Sequence, residues 1–354
     1  MSESRPTRYR KVVLTSSSLA CWQSLRLRYN RVRSLIARSM IEESRELQIE
    51  DTPPTEAVNA LPFPHNQQTY CRYEPIEKQI DKVRVLVIDC LLRDEDDLSD
   101  VARSEWGNAA PLEIKRERRI AKMAIENIES NVERLVKDPE TYVTPLASVA
   151  VAADKFKPDA IVLSGTLRDF DYYDPVVLDT FAEFIRPNTI PVLVICGGHQ
   201  LVGLSFGARV VTLDRLEQHE QRHDRPLEYQ YRFVRITETR DPIFRGINNS
   251  SSGVWHDYPE YARVLRVWQN HGLQLDRVPE GFRLLATSYL CRNQMMVKRS
   301  EGQLIYTVQF HLEKSFEDWN KSRTRWEHQN ESRDGRVLFE NFLQLALAHE
   351  PTAS

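Results

Sequence analysis

Between residues 83 and 195 the chain alternates short apolar runs with longer segments of helical spacing. Residues 83–89, 159–164 and 190–195 are nearly continuous apolar runs, suited to strands buried on both faces of a parallel sheet. Residues 111–137 place Ile114, Ile120, Ala124, Ile128, Val132 and Leu135 on one helical face, and 175–186 predict a second helix. From 208 to 310 the pattern turns β-rich, with strands expected at 209–213, 229–237, 283–287, 294–298 and 304–310. A last helix is expected at 335–348, with Val337, Leu338, Phe342, Leu343 and Leu345 facing inward. Alternating β and α followed by further strands predicts an α/β fold: a mostly parallel open sheet, helices on both faces, and added β strands.

The first 81 residues differ from this body. Residues 1–40 carry nine Lys or Arg against one acid, Glu3, and eight serines. Trp22, Leu25, Tyr29, Val32 and Ile36 recur at helical spacing, which predicts a basic amphipathic helix around 21–40. Such a segment suits an organellar transit sequence, a helix docking on an acidic partner or membrane surface, or a solvated tail. Residues 41–81 mix acids with Pro53, Pro54, Pro62, Pro64 and Pro75, the composition of a linker or strap. The division expected is an N-terminal extension over 1–81 and a domain over 82–349, within which 94–137 is an inserted loop and helix.

Composition narrows the classes. The 354 residues suit one large core plus an extension, and a net charge of -3 gives no reason to expect nucleic acid as a partner. Five scattered cysteines (Cys21, Cys71, Cys90, Cys196, Cys291) form no disulfide framework and fit a reducing compartment. No apolar run approaches the roughly 20 residues that span a membrane, so a soluble, cytoplasmic protein is expected, or one of an organelle matrix if 1–40 is a transit segment.

One stretch carries chemistry. In Val194-Ile195-Cys196-Gly197-Gly198-His199-Gln200 a cysteine follows an apolar run and precedes two glycines, the pattern of strand, sharp turn and helix. That geometry presents a side chain at the carboxyl end of a sheet, where nucleophiles sit on α/β folds. Gln309-Phe310-His311-Leu312-Glu313 supplies a base and a carboxylate at the end of another strand. A thiol becomes a strong nucleophile when a base takes its proton and a third group orients the base.

These two motifs resemble those of the class I (triad-type) glutamine amidotransferases, Gly-Ile-Cys-x-Gly-His-Gln and Gln-Phe-His-Pro-Glu. Gln269-Asn270-His271-Gly272, with Pro279-Glu280-Gly281-Phe282 beyond it, resembles the family's Asn-His-Gly segment and following turn. Ile161-Val162-Leu163-Ser164-Gly165 resembles the strand and loop leading to its oxyanion hole. The four lie in the family's order across roughly 83–349. The resemblance implies a flavodoxin-like domain in which Cys196 attacks the side-chain amide of L-glutamine and forms a γ-glutamyl thioester. His311 shuttles the proton and Glu313 orients it. It further implies an oxyanion hole from Gly165, Thr166 and Gly197, and a substrate site from Gln200, Asn270, Gly272 and Leu273. No cofactor or metal is called for, and the ammonia goes to a synthetase or acceptor subunit in trans. Four positions depart from the family: Val194 and Thr166 stand where it has glycine, and Leu167 and Leu312 where it has proline. Valine is expected to crowd the turn, and threonine to be strained if its φ is positive.

Other readings stay open. The same triad serves a hydrolase of another γ-glutamyl compound, and a silent site would leave a binding or regulatory subunit. Trp255-His256-Asp257-Tyr258 is either a lid or acceptor contact near the active centre or a surface turn with a half-buried tryptophan. His219-Glu220-Gln221-Arg222-His223 matches the zinc-protease pattern, but its charged flanks and Pro226 deny it a supported helix, so it is expected to be coincidental. His65, His328 and His349 sit in polar or chain-end contexts and suggest no site.

Overall fold

The run at 83–89 forms most of the first strand, and its side chains divide between two cores. Val83, Val85 and Val87 enter one cluster, while Leu86 and Ile88 enter the other, the two-residue period of a strand buried on both faces. The computed structural model describes residues 77–247, 264–300, 302–314 and 333–349, which all belong to one unit, His65–Ser354. The expected helix at 21–40, nearly all of the 41–81 strap, Trp255–Tyr258, His65 and His328 lie outside the described residues.

In chain order the elements are β1 (Ile80–Asp89), α1 (Asp100–Trp106), α2 (Ala110–Leu135), β2 (Val136–Pro145), α3 (Val149–Phe156), β3 (Ala160–Leu163), α4 (Pro175–Ile185), β4 (Val192–Ile195) and α5 (Gly197–Ser205). There follow β5 (Val210–Thr212), β6 (Glu228–Ile236), β7 (Val264–His271), β8 (Leu273–Leu275), β9 (Phe282–Thr287), β10 (Met295–Ser300), β11 (Gln303–Val308) and α6 (Arg333–Leu347). Nine strands form one sheet in the order β2-β1-β3-β4-β11-β10-β9-β6-β7, and β5 pairs with β8 in a small second one. The first five strands are parallel; the other four continue the sheet antiparallel. The mostly parallel core with added strands is thus present.

Helices cover both faces. Ile125, Ile128, Val132 and Leu135 of α2 pack with Leu338, Phe339, Phe342 and Leu343 of α6 on one side. On the other, Val149 and Ala152 of α3, Phe181 and Ile185 of α4, and Leu201 and Val202 of α5 meet Leu163, Val194 and Ile305. No helix among the described residues is long and apolar enough to cross a membrane.

The sequence pattern misses β2. Among the described residues this strand pairs only with β1, and within it only Val136 and Thr144 are buried. An edge strand carrying Pro139 and cross-strand ion pairs (Lys82–Asp138, Arg84–Glu140, Lys137–Asp81) shows no hydrophobic period. Helix α2 is the crossover that returns the chain from β1 to β2, and the polar stretch before it contains α1, capped by Ser99.

Candidate active site

Cys196 sits between the end of β4 and the first turn of α5, with φ 49° and ψ -111°. A non-glycine residue rarely adopts such a φ, and here the turn is pinned on both sides. The Cys196 amide donates to Val308 O at 2.8 Å, and Gln200 N donates to Cys196 O at 3.3 Å. The sulfur therefore stands at the amino end of a buried helix, the positive end of its dipole.

The two glycines after Cys196 are required by close approaches. A Cβ on Gly197 would lie 1.9 Å from Thr166 Oγ1 and 2.5 Å from Thr166 N. One on Gly198 would meet Ser164 O at 2.7 Å and Val194 Cγ1 at 2.9 Å. Gly198 thus makes the room that Val194 fills, and the expected crowding is relieved within the turn. Thr166 has no positive φ, so threonine is unstrained there. Leu312 is buried, its backbone packed against Gly335 of α6.

His311 follows β11, its amide donating to Trp268 O at 2.8 Å. Its Nδ1 lies 2.7 Å from Glu313 Oε1, and the Cys196 side chain lies beside the ring. Burial disfavours the charged ring, but the Glu313 carboxylate and the Cys196 sulfur outweigh it and raise the pKa to about 10. Burial pushes Glu313 up as well, yet the adjacent imidazolium brings it below the ordinary carboxylate value. The carboxylate thus holds a protonated imidazole beside the Cys196 side chain.

All ten residues singled out in the sequence line one cavity of about 280 Å3: Cys196, His311, Glu313, Gly165, Thr166, Gly197, Gln200, Asn270, Gly272 and Leu273. Gly165 faces both reacting groups, since a Cβ there would be 3.3 Å from Cys196 Cβ and 3.6 Å from His311 Cε1. The Gln200 amide nitrogen donates to Leu273 O at 3.1 Å and to Gln309 Oε1 at 3.0 Å. It therefore shapes the wall rather than offering that nitrogen to a ligand.

Several partners escaped the sequence reading. Gln309, quoted in a motif but given no role, directs Nε2 at Cys196 Sγ across 3.7 Å. Ile120, Met123 and Ala124 of α2 and the Arg168–Asp169 pair also line the cavity. Arg225 grips Asp169 through both terminal nitrogens, at 2.9 and 2.8 Å, and its stem covers Gly272. The only signal in the sequence was charge in predicted loops, which says nothing of pairing.

Behind the wall lies a buried polar knot. His271 Nδ1 is 2.9 Å from Leu273 O, and its Nε2 is 3.1 Å from Glu228 Oε2 but without hydrogen-bond alignment. With Cys291 these are the one group of potential metal ligands found among the described residues. Glu228 already accepts from Ser288 and Gln294. We read the knot as the support of the Asn270–Leu273 wall. His219 and His223 are exposed, and their segment is a single 3-10 turn (Gln218–Glu220), which gives no helical face for a metal.

Comparison with known proteins gives a consistent result. The family model described as glutamine amidotransferase class-I matches residues 123–327. A subunit of the glutamine-hydrolyzing GMP synthase of Thermococcus kodakarensis is 31% identical over 172 residues, 48% of this chain and 72% of its own length. The protein of the same name from Pyrococcus abyssi is 30% identical over the same shares. The glutamine-hydrolyzing GMP synthase of Vesicomyosocius okutanii is 26% identical over 45% of this chain, but only a quarter (25%) of its own length is covered.

Proposed function

The chain belongs to the class-I glutamine amidotransferases, and on that premise we propose that Cys196, His311 and Glu313 hydrolyse the side-chain amide of L-glutamine for a synthetase on a separate chain. The observation that carries this reading is the alignment of Glu313, His311 and the Cys196 sulfur inside one cavity.

The wall formed by Asn270, Gly272 and Leu273 receives glutamine and directs its amide toward Cys196. The thiolate attacks the amide carbon, and the carbonyl oxygen becomes an oxyanion. The N–H groups of Gly197 and Thr166 are its donors, with Gly165 leaving the space open. Imidazolium at His311 protonates the departing nitrogen, and ammonia leaves behind a γ-glutamyl thioester. Water then attacks the thioester, giving its proton back to His311, and glutamate and the thiolate are released. Glu313 keeps the ring in one orientation throughout and offsets its charge. The two archaeal relatives are named as subunits of a synthase, and 72% of their length is covered, which supports a partner in trans. Residues 1–81 then form an extension to a catalytic domain over 82–349, and the thiol chemistry suits the reducing cytoplasm.

The test is release of ammonia and glutamate from L-glutamine by the wild-type protein and by Cys196→Ala. Release that disappears in the variant supports the reading. A wild-type protein whose Cys196 is readily alkylated, yet which leaves glutamine intact even with candidate synthetases, directs the search to other γ-glutamyl compounds. Absence of both alkylation and release overturns it in favour of a binding subunit.

A further inference from the structure

We infer that helix α2 is a brace for the reacting groups, through Asn131 at one end and the Glu117–Arg168 pair at the other. This rests on the triad reading above. Asn131 is buried and donates from Nδ2 to Glu313 O at 2.8 Å, and to Asn127 O at 2.8 Å. It thereby fixes the main chain of the residue whose carboxylate orients His311. Arg168 follows Thr166 by two residues. Its Nε donates to Glu117 Oε1 at 2.7 Å and its Nη2 to Glu113 Oε2 at 2.8 Å, while the guanidinium lies over the Trp106 ring.

Two features set this apart from ordinary surface pairing. Glu117 is fully buried, and its Oε2 has no partner. A carboxylate in that position is costly, since burial raises its pKa to about 7 despite Arg168. The pair also compensates for a departure in sequence. Where the family's proline would stiffen the oxyanion loop, this chain has Leu167, nearly half exposed at 47%. Arg168 anchors the loop instead. Residues 117 and 131 are fourteen positions apart in one helix (Ala110–Leu135), about 21 Å along its axis. A single rigid element therefore holds the Thr166 N–H and the Glu313 backbone in register. Asn131, Glu117 and Arg168 are positioning residues, acting through Glu313 and Thr166.

The experiment compares Asn131→Leu and Arg168→Met with wild type in glutamine hydrolysis and in the pH profile of Cys196 alkylation. Arg168→Met is expected to lower kcat by about 10- to 100-fold with KM within about twofold, because a displaced oxyanion donor affects the transition state more than the bound substrate. Its alkylation profile stays that of wild type. Asn131→Leu is expected to lower kcat by about 10-fold and to shift the alkylation profile, because Glu313 then holds His311 less well. Arg168→Lys and Asn131→Ser, which each retain a donor, recover part of the activity, and they carry the test if the larger changes prevent folding. Folded variants with wild-type kcat and alkylation overturn the brace, as do variants in which both readouts fall together in proportion to lost thermal stability. If wild-type protein releases no ammonia, the glutaminase reading fails separately, and the alkylation profile of the Asn131 variants still decides that half of the brace.

Discussion

Two cysteines follow parallel strands at the same end of the sheet, and only one has the surroundings of a nucleophile. Cys90 comes directly after β1 and Cys196 directly after β4, with β3 between the two strands. Cys90 continues into an irregular segment, donates its amide hydrogen to Ser164 Oγ, and turns its thiol toward Ile88 O. Burial, helped by the Asp89 charge, pushes that thiol far above its ordinary range. Cys196 opens a helix, adopts φ 49° and meets a histidine backed by a carboxylate. Strand ends are thus interchangeable as positions. The turn, the helix dipole and the base distinguish them.

The most severe way to break this comparison is Cys196→Ala, which we expect to reduce glutaminase kcat by about 10⁶-fold while Tm stays near the wild-type value. His311→Gln should cost on the order of 10⁴-fold or more and also abolish selective alkylation of Cys196 near neutral pH. Next comes Gly197→Ala. Its new methyl would collide with Thr166 Oγ1 and N, so the oxyanion loop must move, and kcat should fall by roughly 10²- to 10³-fold. Steady-state kinetics and circular dichroism separate that loss from unfolding.

A gentler probe uses stability against pH. Folded His311 keeps its proton to about pH 10, against an ordinary value of 6.5. Its stabilisation is therefore fully present below pH 6.5 and is lost as pH rises toward about 10. The lowered Glu313 contributes the opposite dependence, present above its ordinary value and lost as pH falls through the folded one. Urea unfolding should accordingly show the stability gap between wild type and His311→Gln narrowing from pH 6.5 to 10. Smallest of all is Cys90→Ala, for which kcat should stay within about twofold of wild type. Mass mapping after brief alkylation of the native protein should find label at Cys196 and none at Cys90 or Cys291.

The same contrast explains what could be read in advance. The parallel strands and Cys196 were legible because near-continuous apolar runs followed by Cys-Gly-Gly leave few alternatives. Of β7 only residues 269–271 were legible, as part of a motif, since the polar Gln269 takes a buried position in the strand period. The strand β2 was invisible because its partner lies on one side only. The ties of Asn131 and Glu117 were invisible for another reason. Mid-helix polar residues ordinarily face water, and nothing local reveals that their partners, Glu313 and Arg168, stand 182 and 51 residues away.

The ion-rich edge formed by β2 also governs how this sheet meets other chains. Among the described residues no strand pairs with its outer rim, where Pro139 has no amide hydrogen to give and Lys137, Asp138 and Glu140 surround it with charge. An incoming strand would have to forgo a ladder hydrogen bond and displace solvated ions, so growth of the sheet in that direction is resisted and aggregation through that rim is discouraged.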